Sequence, residues 1–335
     1  MASSIRDVAR EAGVSVGTVS NVLNRPEKVS PATVERVLAA IERLGFVRND
    51  AARQLRVGRS RSIGMVVLDT RNPFFTDVAH GAQAQALSDG YTVLLGGSDE
   101  DSSREVALLD LFEEQRVAGL LISPVHTDLS RLWRLREAGT PVVLVDRGSS
   151  DHSFSSVSVD DVEGGRIAAQ HLVDIGRSRI GFIGGPLAIE QVAQRLEGAQ
   201  AVVSKYRGVA LTVFQPQALT VLEGRRIGEE IVAMPAATRP DALFAANDLL
   251  ALGVIQALVM TGSLRVPEDI ALVGYDDIDF AGAAVVPLSS VRQPATEIGA
   301  TAVKLLMHEA DGDRGPEQVV FQPTLVSRAS TLGYE

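Results

Sequence analysis

At 335 residues and 45% hydrophobic content, the chain is long enough for two or three domains with sizeable cores, and the lack of cysteine excludes disulfides and thiolate metal sites. No apolar run approaches the ~20 residues that span a bilayer, and the first residues carry neither an apolar signal core nor a cleavage motif, so a cytoplasmic location is expected. The net charge of −10 argues against nucleic-acid binding by the whole chain, yet residues 1–62 carry 11 Lys and Arg against 6 Asp and Glu, and the remainder 21 against 36. A basic head on an acidic body is expected when only the head meets a polyanion; chance basicity of a short segment is the alternative.

Residues 1–45 read as three helices. Ser4 caps the first, with Asp7 closing a capping box, Ile5, Val8, Ala9 and Ala12 forming its apolar face, and Gly13 stopping it. Ser15 caps a second helix from Val16 to about Leu23. Ser30-Pro31 opens the third, with serine as cap and proline where its missing N–H costs nothing. Its expected apolar face is Val34, Val37, Leu38 and Ile41, and it ends at Leu44-Gly45. Phe46 to Arg61 then carries Arg48, Arg53, Arg56, Arg59 and Arg61 with Asp50 as its acid; Asn49 caps a short helix through Leu55 that Gly58 can end.

From Ser62 short apolar runs alternate with helical stretches. The expected strands are Ile63–Leu68, Thr92–Leu95, Gly119–Ile122, Val142–Val145, Val157–Val159, Ile180–Ile183, Ala210–Phe214, Ala242–Phe244, Ile270–Val273, Ser289–Val291 and a last one near Thr324–Ser327. Helical stretches lie between them at Thr76–Asp89, Ser103–Gln115, Gly164–Ile175, Glu190–Lys205, Leu222–Met234 and Leu249–Thr261. This alternation means an α/β chain with doubly wound parallel sheets, and there are too many units for one sheet. Gly119–Ser123 and Pro141–Asp146 correspond to Asp241–Ala245 and Ile270–Asp276, as parts of two similar subdomains. Ligands of such sheets bind beyond the carboxyl ends of the strands, so two facing sheets make a cleft.

Two short helices about a glycine turn suggest a helix-turn-helix, which needs the third helix to bury its apolar faces and leaves the second free to enter a major groove. Its outward residues are Val16, Gly17, Thr18, Ser20 and Asn21. Asn21 can pair with adenine and Val16 can touch a thymine methyl, whereas Ser15, Thr18, Ser20 and Asn24 suit phosphate anchoring. A helical bundle used for protein contact is the alternative reading.

Ile5-Arg-Asp-Val-Ala9, Ala12-Gly-Val-Ser15, Thr18-Val-Ser20, Val22-Leu-Asn24 and Ala52-Arg-Gln-Leu-Arg56 are the first of a collinear set of motifs. Asn72-Pro-Phe-Phe75, Asp146-Arg147, Gly184-Gly-Pro186, Asn247-Asp-Leu-Leu-Ala-Leu-Gly253 and Val273-Gly-Tyr-Asp-Asp277 continue it over nearly the whole chain. With these residues the sequence resembles bacterial transcription repressors of the LacI/GalR type. The resemblance implies that the arginine-rich segment is a hinge, folded into a short helix when two subunits meet on an operator, with Leu55 wedged into the minor groove. Asn49, Arg53 and Arg56 would accompany it on the DNA, and Ala51, Ala52 and Leu55 would face the partner helix. An apolar wedge that unstacks a base step makes physical sense of this; packing of Leu55 on the head is the alternative.

The body also resembles ribose-type periplasmic sugar-binding proteins. Matching positions imply an effector site of Asn72, Phe74, Phe75, Asp146, Arg147, Arg195, Asn247, Asp276 and Gln293. The chemistry suits a polyol: aromatic faces cover C–H groups, carboxylates accept from hydroxyls, and Arg, Asn and Gln donate. Core packing is the alternative for the phenylalanines, and a solvated charge for Arg195. Asp160 and Asp161 follow another strand, with steering of the crossover as their alternative role. Leu219 stands where some relatives place an aromatic residue, which puts a specific sugar in doubt. Gly181-Phe-Ile-Gly-Gly-Pro186 fits neither a P-loop nor a full dinucleotide pattern and reads as a tight turn.

The expected function is a sequence-specific repressor that binds a near-palindromic operator as a homodimer and is switched by a small metabolite, a sugar, with a non-sugar effector as the alternative and with no cofactor, metal or membrane. A sugar-transport protein would need an export signal and would not need residues 1–61. An enzyme is not expected: there is no nucleophile triad, and His80, His126, His152, His171 and His308 are scattered. The expected division is 1–47 for the DNA-binding head and 48–61 for the hinge, with 62–160 plus 292–322 and 161–291 plus 323–335 as the two effector subdomains. The chain would cross between these near Val159–Val162, Val291–Pro294 and Gln322–Pro323.

Overall fold

The computed structural model describes residues 3–46, 60–126, 128–149, 152–262, 264–312 and 315–333. The chain divides into two units, Met1–Ser60 and Arg61–Glu335. In the first, Asp7 N–H donates to the Ser4 hydroxyl at 3.3 Å and Ser4 N–H donates to the Asp7 carboxylate at 3.0 Å, a reciprocal cap that starts the helix Ile5–Ala12. Gly13 ends it at φ 63°, a conformation that side chains resist. Thr18 N–H donates to the Ser15 hydroxyl at 3.1 Å, starting the helix Val16–Asn24. The third helix is Pro31–Leu44. Val8, Ala9, Ala12, Val19, Val22, Val37 and Ala40 form the buried centre of the bundle, so neither short helix has to be stable alone.

Two details of the third helix differ from expectation. Ser30 precedes it, but its hydroxyl bonds the Thr33 hydroxyl at 2.9 Å rather than a backbone N–H, so it makes no side-chain cap. Leu38 is 51% exposed, because the buried stripe runs through Val34, Val37, Ala40, Ile41 and Leu44 and Leu38 falls at its edge.

In the second unit the described strands form two six-stranded sheets. Strands β1 (Ser62–Val67), β2 (Thr92–Gly97), β3 (Gly119–Ile122), β4 (Val142–Val145), β5 (Ser155–Val159), β6 (Arg179–Ile183), β7 (Ala210–Phe214), β8 (Ala242–Ala245), β9 (Ala271–Asp276), β10 (Ser289–Arg292), β11 (Gln318–Phe321) and β12 (Thr324–Val326) follow in chain order. The first sheet has the order β11-β5-β4-β3-β1-β2 and the second β12-β10-β9-β8-β6-β7. All pairings are parallel except that of β12 with β10. The central strands are buried on both faces, as their unbroken apolar runs require.

The chain leaves the first sheet after β5, returns after β10 through the helix Ala295–Asp311, and passes back between β11 and β12. Ile298, Ala302, Val303 and Leu306 of that helix lie in the core of the first lobe, whereas Ala168, Ala169 and Leu172 of the helix Asp161–Asp174 lie in the core of the second. Helices pack on each sheet, and residues at the carboxyl ends of β1, β4, β8 and β9 line one cavity. Among the described residues, no helix is long and apolar enough to cross a membrane.

Candidate functional site

The two sheets share one strand order, which places β4 and β9 at equivalent positions. Asp146 follows β4 and Asp276 ends β9, and both have left-handed backbones, at φ 58° and 101°. Each carboxylate receives an amide from the opposite lobe. Asn72 Nδ2 donates to Asp276 Oδ2 at 3.2 Å, while Gln191 Nε2 donates to the Asp146 carbonyl at 2.6 Å and to its Oδ2 at 3.0 Å. Gln293 Nε2 donates to the other oxygen of Asp276 at 2.8 Å. Asp146 Oδ1 and Gln293 Oε1 are buried and lack a protein partner; Asp146, which lines the cavity, thus has an acceptor suited to a hydroxyl donor of a ligand.

Local sequence explains the two asparagines. Asn72 accepts from Phe74 N–H at 3.1 Å and starts the helix Pro73–Ser88; Asn247 accepts from Leu250 N–H at 3.0 Å and starts the helix Asp248–Thr261. Capping fixes each side chain, leaving the amide of Asn72 for Asp276 and that of Asn247 for the Leu219 carbonyl at 3.2 Å. Phe74 and Phe75 lie edge to face, with centroids 5.1 Å apart, and both line the cavity.

Arg195 is buried rather than solvated. Its Nε donates to Asp161 Oδ1 at 2.7 Å, its Nη1 donates to the Ala246 carbonyl at 2.7 Å, and its guanidinium carbon lies 3.7 Å from the centre of the Tyr275 ring. These bonds use two of five N–H donors. Burial lowers the pKa of Arg195, but the charges of Asp161, Asp276 and Asp146 outweigh it and hold it raised. Burial raises Asp161, against the charge of Arg195, and raises Asp146 strongly with help from the charge of Asp161. Asp276 is pushed up to about 6, by burial and against Arg195, Asn72 and Gln293.

Asn72, Phe74, Phe75, Asp146, Arg195, Asn247 and Asp276 therefore share one cavity of about 110 Å³. Two other expected residues stand apart. Arg147 pairs with Glu190 at 3.0 Å, donates to the His126 carbonyl at 2.8 Å, and lines an adjoining cavity. Gln293 stands behind Asp276, on a third cavity. Gln191 was not anticipated from sequence, nor were Ile189, Val192, Ala218 and Thr220 on the wall or Asp69, Arg71, Asp99 and Glu100, which also line the cavity. Asp160 starts the helix Asp161–Asp174 by accepting from Glu163 N–H at 2.9 Å.

In the head, Ser15, Val16, Gly17, Asn21 and Asn24 are exposed on the second helix, and Thr18 and Ser20 are partly so. Ser15 and Thr18 hydroxyls share a bond of 2.9 Å, and Asn24 Nδ2 donates to the Ser20 carbonyl at 2.8 Å. A Cβ added at Gly17 would meet nothing nearer than the Ser15 hydroxyl, at 3.6 Å, so the head itself does not require glycine there. The expected contacts of Asn49, Arg53, Leu55 and Arg56 lie outside the described residues.

Residues 4–49 match the family described as bacterial regulatory proteins, lacI family, and residues 169–331 match the periplasmic binding protein-like domain. The chain is 35% identical over 330 residues to the ribose operon repressor of Bacillus subtilis (strain 168), covering 98% of each protein. It is 34% identical over 342 residues to the HTH-type transcriptional repressor PurR of Aliivibrio fischeri (strain MJ11), again covering 98% of each. Among solved structures it is similar to the lac repressor dimer bound to operator and the anti-inducer ONPF, with a TM-score of 0.85 and 26% identity over 99% of this chain and 100% of that one.

Proposed function

The chain belongs to the lacI family of bacterial regulatory proteins, and from that premise we propose that it is a cytoplasmic repressor that binds operator DNA as a homodimer and is switched by a monosaccharide of the D-ribose class. The observation that carries the effector assignment is the pair of buried aspartates, Asp146 and Asp276, with Arg195 beside them in one cavity edged by Phe74 and Phe75. A hydroxylated ring can donate to the carboxylates, accept from the guanidinium and lay its C–H groups on the aromatic pair. The 35% likeness to a ribose operon repressor is in keeping with a pentose, and the equal likeness to PurR puts nucleobases among the ligands to be tested.

In the head, we assign base contact to Val16, Gly17 and Asn21 and phosphate contact to Ser15, Thr18, Ser20 and Asn24, with Asn49, Arg53, Leu55 and Arg56 completing the DNA surface. Two heads reading two half-sites make the operator near-palindromic. Residues 62–160 with 292–322, and 161–291 with 323–335, act as the two lobes. Ligand that favours one lobe orientation shifts operator affinity through residues 48–61, by no more than its differential affinity for the two states.

Fluorescence anisotropy on a pool of palindromic duplexes, repeated with D-ribose, other monosaccharides and nucleobases, tests the reading. Salt-sensitive binding to a palindrome, altered by D-ribose, is expected, and the same titration gives the sign of the response. A response to a nucleobase and to no sugar would refute the effector assignment. No duplex binding even at low salt would refute the DNA assignment.

A further inference from the structure

The backbone leaves β9 through two consecutive left-handed residues, Asp276 at φ 101° and Asp277 at φ 56°, and neither is glycine. Such conformations are disfavoured for residues with a side chain and persist only where the surroundings over-determine them. Here the surroundings are a bracket built on Asp248. Its carboxylate is fully buried; Oδ2 accepts from Ile278 N–H at 2.9 Å and Oδ1 accepts from the Ser290 hydroxyl at 2.7 Å. The Ser290 oxygen in turn accepts from Asp277 N–H at 3.0 Å. Both amides after Asp276 are thus held by one side-chain pair.

The bracket is built tightly. A Cβ at Gly274 would stand 2.1 Å from Asp248 Oδ1, so glycine there is what lets β9 approach the carboxylate. On the far side the Asp277 carboxylate is gripped by Arg292 at 2.7 Å and Arg328 at 2.6 Å. With the next two residues held, the one free choice is the direction of Asp276, which faces the cavity and the amides of Asn72 and Gln293. An ordinary first-turn acid would serve its helix from the surface; burial of Asp248 against a neighbouring turn has another use.

We infer that Asp248 is a positioning residue for effector recognition: acting through Ser290 and Ile278 N–H, it holds Asp276 in the left-handed conformation that presents its carboxylate to the cavity. The inference rests on the reading of Asp276 as an effector contact.

Calorimetric titration of the full chain with D-ribose tests it, using Asp248→Ala, Asp276→Ala and the double variant, with thermal melts as a check of fold. Asp248→Ala should weaken binding about tenfold or more, and should cost nothing further once Asp276 is alanine, because its effect passes through that residue. Asp248→Asn keeps an acceptor for Ile278 N–H and can donate to Ser290, so it should recover most of the affinity. Should Asp248→Ala not fold, Ser290→Ala removes half of the bracket and carries the same cycle. An equal loss in both backgrounds would be a general structural effect and would overturn the inference, as would parental affinity in Asp248→Ala. Absence of ribose binding by the parent, or binding that Asp276→Ala leaves intact, would overturn the reading of the site and the positioning role with it.

Discussion

Lowering the pH from 7 to 5 is a perturbation aimed at Asp276, whose carboxyl is pushed up to about 6 from the ordinary 3.8, chiefly by burial. The amides of Asn72 and Gln293 already donate to its two oxygens, so a ligand hydroxyl finds a full set of acceptors only when the group is ionised. With ionisation centred near 6, about one empty site in ten is protonated at pH 7 and about nine in ten at pH 5, which should weaken binding of the proposed D-ribose effector about tenfold. Burial also raises Asp146, aided by the charge of Asp161, and Asp248, aided by the charge of Asp276. Asp146 lines the cavity and acts in the same sense; a neutral Asp248 keeps its two bonds and adds nothing. Arg195 stays charged throughout. Stability moves the other way in the empty protein. A carboxyl raised in the folded chain contributes fully below about 4 and loses that contribution, about 3 kcal/mol, as the pH rises through 6. Ribose should restore part of it. Calorimetric titration from pH 5 to 8, in two buffers of different ionisation enthalpy, reads both the affinity and the proton released on binding. Equal affinity at pH 5 and 7, or an unchanged pH profile in Asp276→Asn, would refute the reasoning.

Three further outcomes follow from packing and charge. Gly165→Ala should destabilise the second lobe by about 1–3 kcal/mol and weaken ribose binding, because the new Cβ would meet the Arg195 carbonyl at 2.0 Å and push its helix away; urea unfolding and titration check it. Arg195→Leu should cost about 3–5 kcal/mol by stranding the buried Asp161, and adding Asp161→Leu should recover most of that stability without recovering binding. Gly17→Ala should leave the head as stable or up to about 1 kcal/mol more stable, since the position is open, yet alter operator affinity; anisotropy that does not change would remove Gly17 from the DNA surface.

What the sequence made legible is what periodicity and chain position encode. Serine, acid and glycine around residues 4–13 specify a capped helix by local chemistry, and the helix Ile5–Ala12 has that cap and that stop. The alternation after Ser62 gave parallel sheets, and the correspondence of Pro141–Asp146 with Ile270–Asp276 already set two aspartates at equivalent strand ends. Features set by tertiary neighbours were not legible. Gln191 has nothing in its own segment to distinguish it, because its partner Asp146 belongs to the other lobe. Arg195 sits on an amphipathic helix, where a solvated charge reads equally well, and its burial depends on Asp161, 34 residues away. The strand Gln318–Phe321 is four residues long and exists by pairing with β5, a partner that no local pattern names. The helices Ser130–Glu137, Asp279–Ala283, Ala295–Asp311 and Ala329–Leu332 are likewise not among those read from the sequence. Leu38 was misplaced because a stripe drawn from periodicity cannot say where its edge meets solvent.

The reciprocal amides define what a ligand must do to act as a switch. Asn72 of the first lobe reaches Asp276 of the second, and Gln191 of the second reaches Asp146 of the first, so the lobes already hold one another through both aspartates. A ligand that meets one aspartate gains affinity from a single lobe and changes little of the preference between orientations. One that meets both gains free energy only while both face it, and that difference is what can be passed to the DNA. Binding and switching should therefore separate within a series of monodeoxy pentoses. The analogue lacking the hydroxyl for one aspartate should bind more weakly, by about one hydrogen bond to a charged group or ~1.5–3 kcal/mol, and at saturation should still leave operator anisotropy near its ligand-free value. Full response from every analogue that saturates the site would mean that occupancy alone drives the change, and the paired aspartates would then be recognition groups without a part in the switch.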